Sequence, residues 1–130
     1  MKDEVRRVDL EHRHLDAEAA ALQTLLDNGR EKLPVIFVAL STFANALAEH
    51  LVGEHEVLNS AITRRPDCAE PSRAEMEDDL RALSLDWSEC LSRWTEDQAD
   101  AAWEPFRDQL STLLVRIRQR VALESSLLRH

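Results

Sequence analysis

The sequence predicts an all-α fold: an antiparallel up-down-up-down four-helix bundle forming one domain over residues 1–130. Three observations predict it. Gly occurs twice and Pro four times, while 44% of residues are hydrophobic and 32% charged, with Ala, Leu, Glu and Arg abundant, so composition favours helix over strand. Apolar residues recur at spacings of three, four and seven along four stretches joined by short connections, as in up-down bundles. The chain also nearly repeats itself. Leu47-Ala48-Glu49-His50-Leu51-Val52-Gly53-Glu54 is answered by Ile117-Arg118-Gln119-Arg120-Val121-Ala122-Leu123-Glu124, and Leu40, Phe43, Ala44, Val57 and Leu58 match Leu110, Leu113, Leu114, Leu127 and Leu128 at the same offset. Two helices therefore hold equivalent places in the core.

The first helix is expected from about Glu4 to Asn28, carried by Val8, Leu15, Ala19, Leu22, Leu25 and Leu26, with Asn28-Gly29 as a left-handed stop. Pro34 suits the first position of the second helix, where no amide is needed. From there the stripe Ile36, Phe37, Leu40, Phe43, Ala44, Leu47, Leu51, Val57, Leu58, Ile62 continues for about seven turns. Gly53 inside it marks a close approach by a neighbouring helix. Arg64 to Pro71 is the polar connection. Ser72 with Glu75 has the capping-box spacing that opens the third helix, through Met76, Leu80, Leu83, Trp87, Leu91 and Trp94. Thr95 with Gln98 repeats that signature before a short helical segment from Glu96 to Ala102. Pro105 breaks the chain there, and the fourth long helix is expected from Pro105 to about Leu128.

The totals narrow the function. A net charge of −9 argues against binding a phosphate backbone and suits a basic protein surface. Only Cys68 and Cys90 are present, without the paired spacings of disulfide frameworks or zinc knuckles. The N-terminal residues lack the apolar core of a signal peptide, and no run approaches the ~20 apolar residues of a membrane span. A cytoplasmic location and no membrane or nucleic-acid partner are expected. No Ser-His-Asp, Cys-His, glycine-rich phosphate loop or nucleotide fingerprint stands in a supporting context, so no enzyme is expected.

His50 and Glu54 lie one turn apart on a helix face among Leu47, Leu51 and Leu58, the spacing by which bundle interiors present metal ligands. The repeat keeps the carboxylate as Glu124 but puts Arg120 where the imidazole would be. With Leu10-Glu11-His12-Arg13-His14-Leu15 on the first helix and the segment Leu47 to Leu58 on the second, the chain resembles the hemerythrin-like family of His-His-Glu cation-binding bundles over essentially its whole length. In that family an imidazole on the first helix, His-x-x-x-Glu on the second, imidazoles on the third and His-x-x-x-Glu on the fourth hold two oxygen-binding non-haem irons. The resemblance implies His12 as the first ligand, ahead of His14, and His50 with Glu54 as the second-helix pair.

The departures from that pattern are specific. No histidine lies between Pro71 and Trp103, and Glu75-Met76 stands where the family has Glu-His. The candidate metal ligands are thus His12, His50, Glu54 and Glu124, too few imidazoles for a di-iron centre and enough for one iron or zinc ion. An inward Arg120 would lie close to Glu54 and Glu124, and it cannot deprotonate to admit a dication. Arg120 is therefore read as a metal-replacing charge in a degenerate site, with no cofactor required and iron or zinc as the alternative. The leading reading is a non-enzymatic signalling or protein-interaction module. A working metal or oxygen-binding protein, drawing a further ligand from Asp78 or Asp79, is the second. The segments around Ala48–His55 and Arg120–Glu124 are also similar to the regulator-of-sigma-D family, which implies a sigma-factor partner as a third. Oligomeric state is left open.

Other residues have simpler readings. Trp87 and Trp94, seven apart, share a face suited to the core or a helix seam, or with Trp103 to an exposed patch for a partner. Met76 and Cys90 read as core fillers, and His55 and His130 as solvent-facing. Cys68 reads as an exposed loop thiol. Arg116, Arg118 and Arg120 fall on different helix faces, and the acidic run Glu75 to Asp79 suits a solvated helix start.

Overall fold

The computed structural model describes the backbone of residues 2–63 and 73–128 and the side chains of residues 6–50 and 74–127. The described elements are all helical: α1 (Lys2–Asp27), a 3₁₀ turn (Arg30–Lys32), α2 (Leu33–Thr63), α3 (Arg73–Arg93), α4 (Glu96–Ala101) and α5 (Trp103–Leu128). Among the described residues five α-helices stand, the four long ones and the short segment expected from Glu96 to Ala102. The short segment after Thr95 is a separate helix, and α5 begins at Trp103, two residues ahead of Pro105. The break between α4 and α5 falls at Ala102, whose φ of −132° and ψ of 59° leave the helical region. Pro105 then occupies the first turn of α5, where its missing N–H costs nothing.

Local chemistry explains the ends. Asn28 donates to the carbonyls of Thr24 and Leu25, and Gly29 turns the chain at φ 106°, a conformation open to Gly and strained for L side chains. Lys32 N–H closes on Gly29 O at 3.1 Å, tightening the connection into the 3₁₀ turn. At α4 the expected capping box is complete: Gln98 N–H donates to Thr95 Oγ1 at 3.2 Å, and Thr95 N–H donates to Gln98 Oε1 at 3.1 Å. The expectations for Gly53, Ser72, His55, Cys68 and His130 fall outside the described residues.

The core follows the helical stripes. Leu15, Leu22 and Leu26 of α1 meet Ile36, Leu40 and Phe43 of α2 and Leu110, Leu114 and Ile117 of α5, all buried. The repeat is visible here, since Leu40, Phe43 and Leu47 are buried like their counterparts Leu110, Leu113 and Ile117. At one end Phe106 is fully enclosed, stacked on Phe37 at 5.5 Å and edge-on to Trp94 at 5.6 Å. Trp94 Nε1–H donates to Gln109 Oε1 at 2.8 Å. Trp87 and Trp94 are thus core residues, as is Cys90, whose thiol pKa is raised by burial and only partly lowered by Arg93.

The three arginines of α5 leave it in three directions: Arg116 to Asp86 of α3 at 2.7 Å, Arg118 to Asp16 of α1 at 2.8 Å, and Arg120 to Glu124. By length and composition alone, the segment Arg30–His50 could also cross a membrane. In this fold its Leu33, Ile36, Leu40, Phe43 and Leu47 are spent on the core.

Candidate metal centre

Beyond Leu47 and Ile117 a polar cluster interrupts the apolar interior, which resumes at Met76 and Leu127. His12 of α1, His50 of α2 and Glu124 of α5 are buried side by side, the last only 2% exposed. His12 Nε2 lies 3.3 Å from Glu124 Oε1, and His50 Nε2 lies 3.8 Å from the same oxygen. The two imidazoles meet edge to face with centroids 4.6 Å apart. One ligand atom from each of the three residues falls within 4.8 Å of the others. Helix packing brings them together: α1 lies against both α2 and α5, so its inward face at the level of His12 meets α2 one turn beyond Leu47 and α5 two turns beyond Ile117.

The outer nitrogens are also engaged. His50 Nδ1–H donates to Glu11 Oε2 at 3.0 Å; a carboxylate only accepts, so Nδ1 carries a proton, which in the neutral imidazole leaves the lone pair on Nε2. His12 Nδ1 is hydrogen-bonded to Ser125 Oγ at 2.7 Å. This is the arrangement that orients imidazole ligands, with one nitrogen held by a hydrogen-bonding partner and the other turned toward Glu124. Two imidazole nitrogens and one carboxylate oxygen suit a divalent ion of the zinc or ferrous type with positions left open. Neighbouring ligands in a tetrahedral shell with bonds of about 2.0–2.2 Å stand about 3.4 Å apart, which matches the 3.3 Å gap, while the 3.8 Å gap and the 4.8 Å spread of all three atoms are wider and would close on binding.

Arg120 turns inward, its side chain 10% exposed. Its Nε–H donates to Glu124 Oε2 at 2.6 Å and an Nη1–H to the Met76 carbonyl at 2.9 Å. The two oxygens of Glu124 are thereby divided, one facing the guanidinium and one facing the imidazoles. A charge-assisted pair this short fixes the carboxylate's rotation and so aims Oε1.

Of the sequence candidates, the structure gathers His12, His50, Glu124 and Arg120. The side chain of Glu54 lies outside the described residues. His14 is on the surface, paired with Glu18 one turn on. Asp78 and Asp79, suggested as a further ligand, are exposed, and Asp78 faces Arg81, because α3 presents Met76 to the interior at this level and its acids to water. Glu11 and Ser125 were not anticipated. The signal that finds them is chemical: each buried imidazole ligand needs an acceptor for its second nitrogen, and the residues flanking His12 and Glu124 are within reach.

Comparison with curated proteins and with solved structures finds no match. The family model of the hemerythrin HHE cation binding domain matches residues 3–129. With its all-helical fold and with imidazoles and a carboxylate meeting in its interior, the chain belongs to the hemerythrin HHE cation-binding domain family.

Proposed function

We propose that this is a hemerythrin-like domain whose dinuclear site has contracted to a single-ion site, formed by His12, His50 and Glu124, with Arg120 supplying the positive charge of the second ion. The observation that carries the reading is the division of Glu124, Oε2 on Arg120 and Oε1 toward two imidazole Nε2 atoms. Among the described residues, two imidazoles and one half-committed carboxylate are too few for two irons and fit one divalent ion. When bound, that ion supplies two positive charges facing Glu124 and, through His50, Glu11. The protein's own residues do the rest: Glu11 and Ser125 fix the imidazoles, and Arg120 holds Glu124 in place.

Cross-helix pairs support an up-down-up-down reading of the four long helices. Gln23 with Ser111, Asp16 with Arg118 and His12 with Ser125 run in opposite orders along α1 and α5, as do Trp94 with Gln109 and Asp86 with Arg116 along α3 and α5. In this reading the domain is a single unit in the cytoplasm, performs no catalysis and works through contact with another protein, the −9 net charge favouring a basic surface.

Elemental analysis tests the site. Protein stripped with chelator, then equilibrated with zinc or anaerobic ferrous iron and desalted, is expected to retain one ion per chain, and His50→Ala to retain none. Two ions per chain, or none in the parent protein, overturns the reading.

A further inference from the structure

Between α2, α3 and α5, beside the candidate metal centre, lies a cleft of about 160 Å³. Its origin is legible in side-chain size. Ala44 and Ala48 on α2 and Ser84 and Ser88 on α3, small residues one turn apart on each helix, line it where larger side chains would fill the space. Leu47, Trp87, Ile117 and Val121 wall it with apolar surface, and its inner end is formed by His50, Arg120 and Glu124. The volume is that of one aromatic ring, since an apolar cavity of about 150 Å³ accommodates benzene.

Charge decides the chemistry of the guest. Arg120 and Glu124 form a neutral pair at the inner end, and Glu124 would repel an anion brought against it. Of the five N–H donors on Arg120, one on Nε and one on Nη1 are taken by Glu124 and Met76, so among the described residues Nη2 remains as a donor for a guest's oxygen. We infer that this cleft is a binding site for a small uncharged aromatic molecule bearing one hydroxyl or carbonyl, its ring against Trp87, Leu47 and Val121 and its oxygen accepting from Arg120. The inference uses the Arg120–Glu124 pair of the proposed function but not the ion.

Phenol is the probe, titrated into isotope-labelled full-length protein while the Trp87 indole N–H resonance is followed. Saturable shifts at Trp87 are expected, with toluene, of similar volume but without the oxygen, binding about tenfold more weakly for want of a hydrogen bond to a charged donor. Benzoate is expected to bind more weakly than phenol. Ser84→Leu, at an exposed mouth position where folding is not at stake, is expected to weaken phenol about tenfold by filling the cleft. Absence of a saturable shift, equal affinity for toluene, preference for benzoate, or unchanged binding to the Ser84 variant each overturns the inference. The titrations are run on chelator-stripped protein and again with zinc. Phenol binding in protein that retains no zinc sinks only the proposed function, and zinc binding without phenol sinks only this inference.

Discussion

Arg120→Met removes the guanidinium while keeping an unbranched apolar stem of similar reach. Glu124, 2% exposed, would then face the interior without the cation 2.6 Å from its Oε2, and the Met76 carbonyl would lose its donor. Breaking a buried pair by deleting one partner costs about 3–5 kcal/mol. Here the lower end is expected, about 3 kcal/mol, because an adjacent imidazole can take up a proton and replace part of the lost charge. Against a total stability of about 5–15 kcal/mol this is a large fraction. With a urea m-value of about 2 kcal/mol/M it moves the unfolding midpoint down by about 1.5 M. Trp fluorescence of chelator-treated protein reads it. The same substitution in a Glu124→Gln background is expected to cost less than half as much, since no buried charge is left to strand. A midpoint within about 0.3 M of the parent, about 0.6 kcal/mol at that m-value, would mean that Arg120 does not hold a buried charge in place. Equal losses in both backgrounds would mean the same, and would assign the cost to packing of the arginine stem.

Three further outcomes are expected. Thr95→Ala removes one arm of the α4 capping box and lowers stability by about 1 kcal/mol, measured by urea unfolding. Phe106→Ala empties a fully enclosed site between Phe37, Trp94 and Trp103 and costs about 3–5 kcal/mol, with loss of near-ultraviolet circular dichroism from the tryptophans. Because burial raises the Cys90 pKa, its contribution to stability is full below the ordinary thiol range and lost as pH rises through that range toward the folded value, where the unfolded chain ionises first. Alkylation of Cys90 at mildly alkaline pH is accordingly expected to be slow in native protein and fast in urea.

Helix ends were readable wherever the sequence carries punctuation with a mechanism. Asn28-Gly29 and the Thr95–Gln98 box stop and start helices at the observed places, while the Arg30–Lys32 turn and the early start of α5 have no such marks. The polar interior was readable in outline because the repeat places Arg120 on the same face as His50, so that the burial of one implies the inward turn of the other. His12 needed the family resemblance, since a histidine in a charged first helix has no periodic signature. What periodicity cannot supply is rotation of one helix against another. Glu11 reaches His50 across 39 residues of sequence and Ser125 reaches His12 across 113, and such pairs depend on angles fixed only by the whole packing. The same reason defeats Asp78 and Asp79: one position along α3 separates the interior at Met76 from water.

His12 stands near the beginning of the chain, and Glu124 and Ser125 near the end. A ribosome must therefore release the whole span from His12 to Glu124 before the three donors can meet, and any cation present during synthesis would find only scattered, weak partners until then. A filled pocket would in this sense certify that α1, α2 and α5 have all come together, because its donors are drawn from each of them.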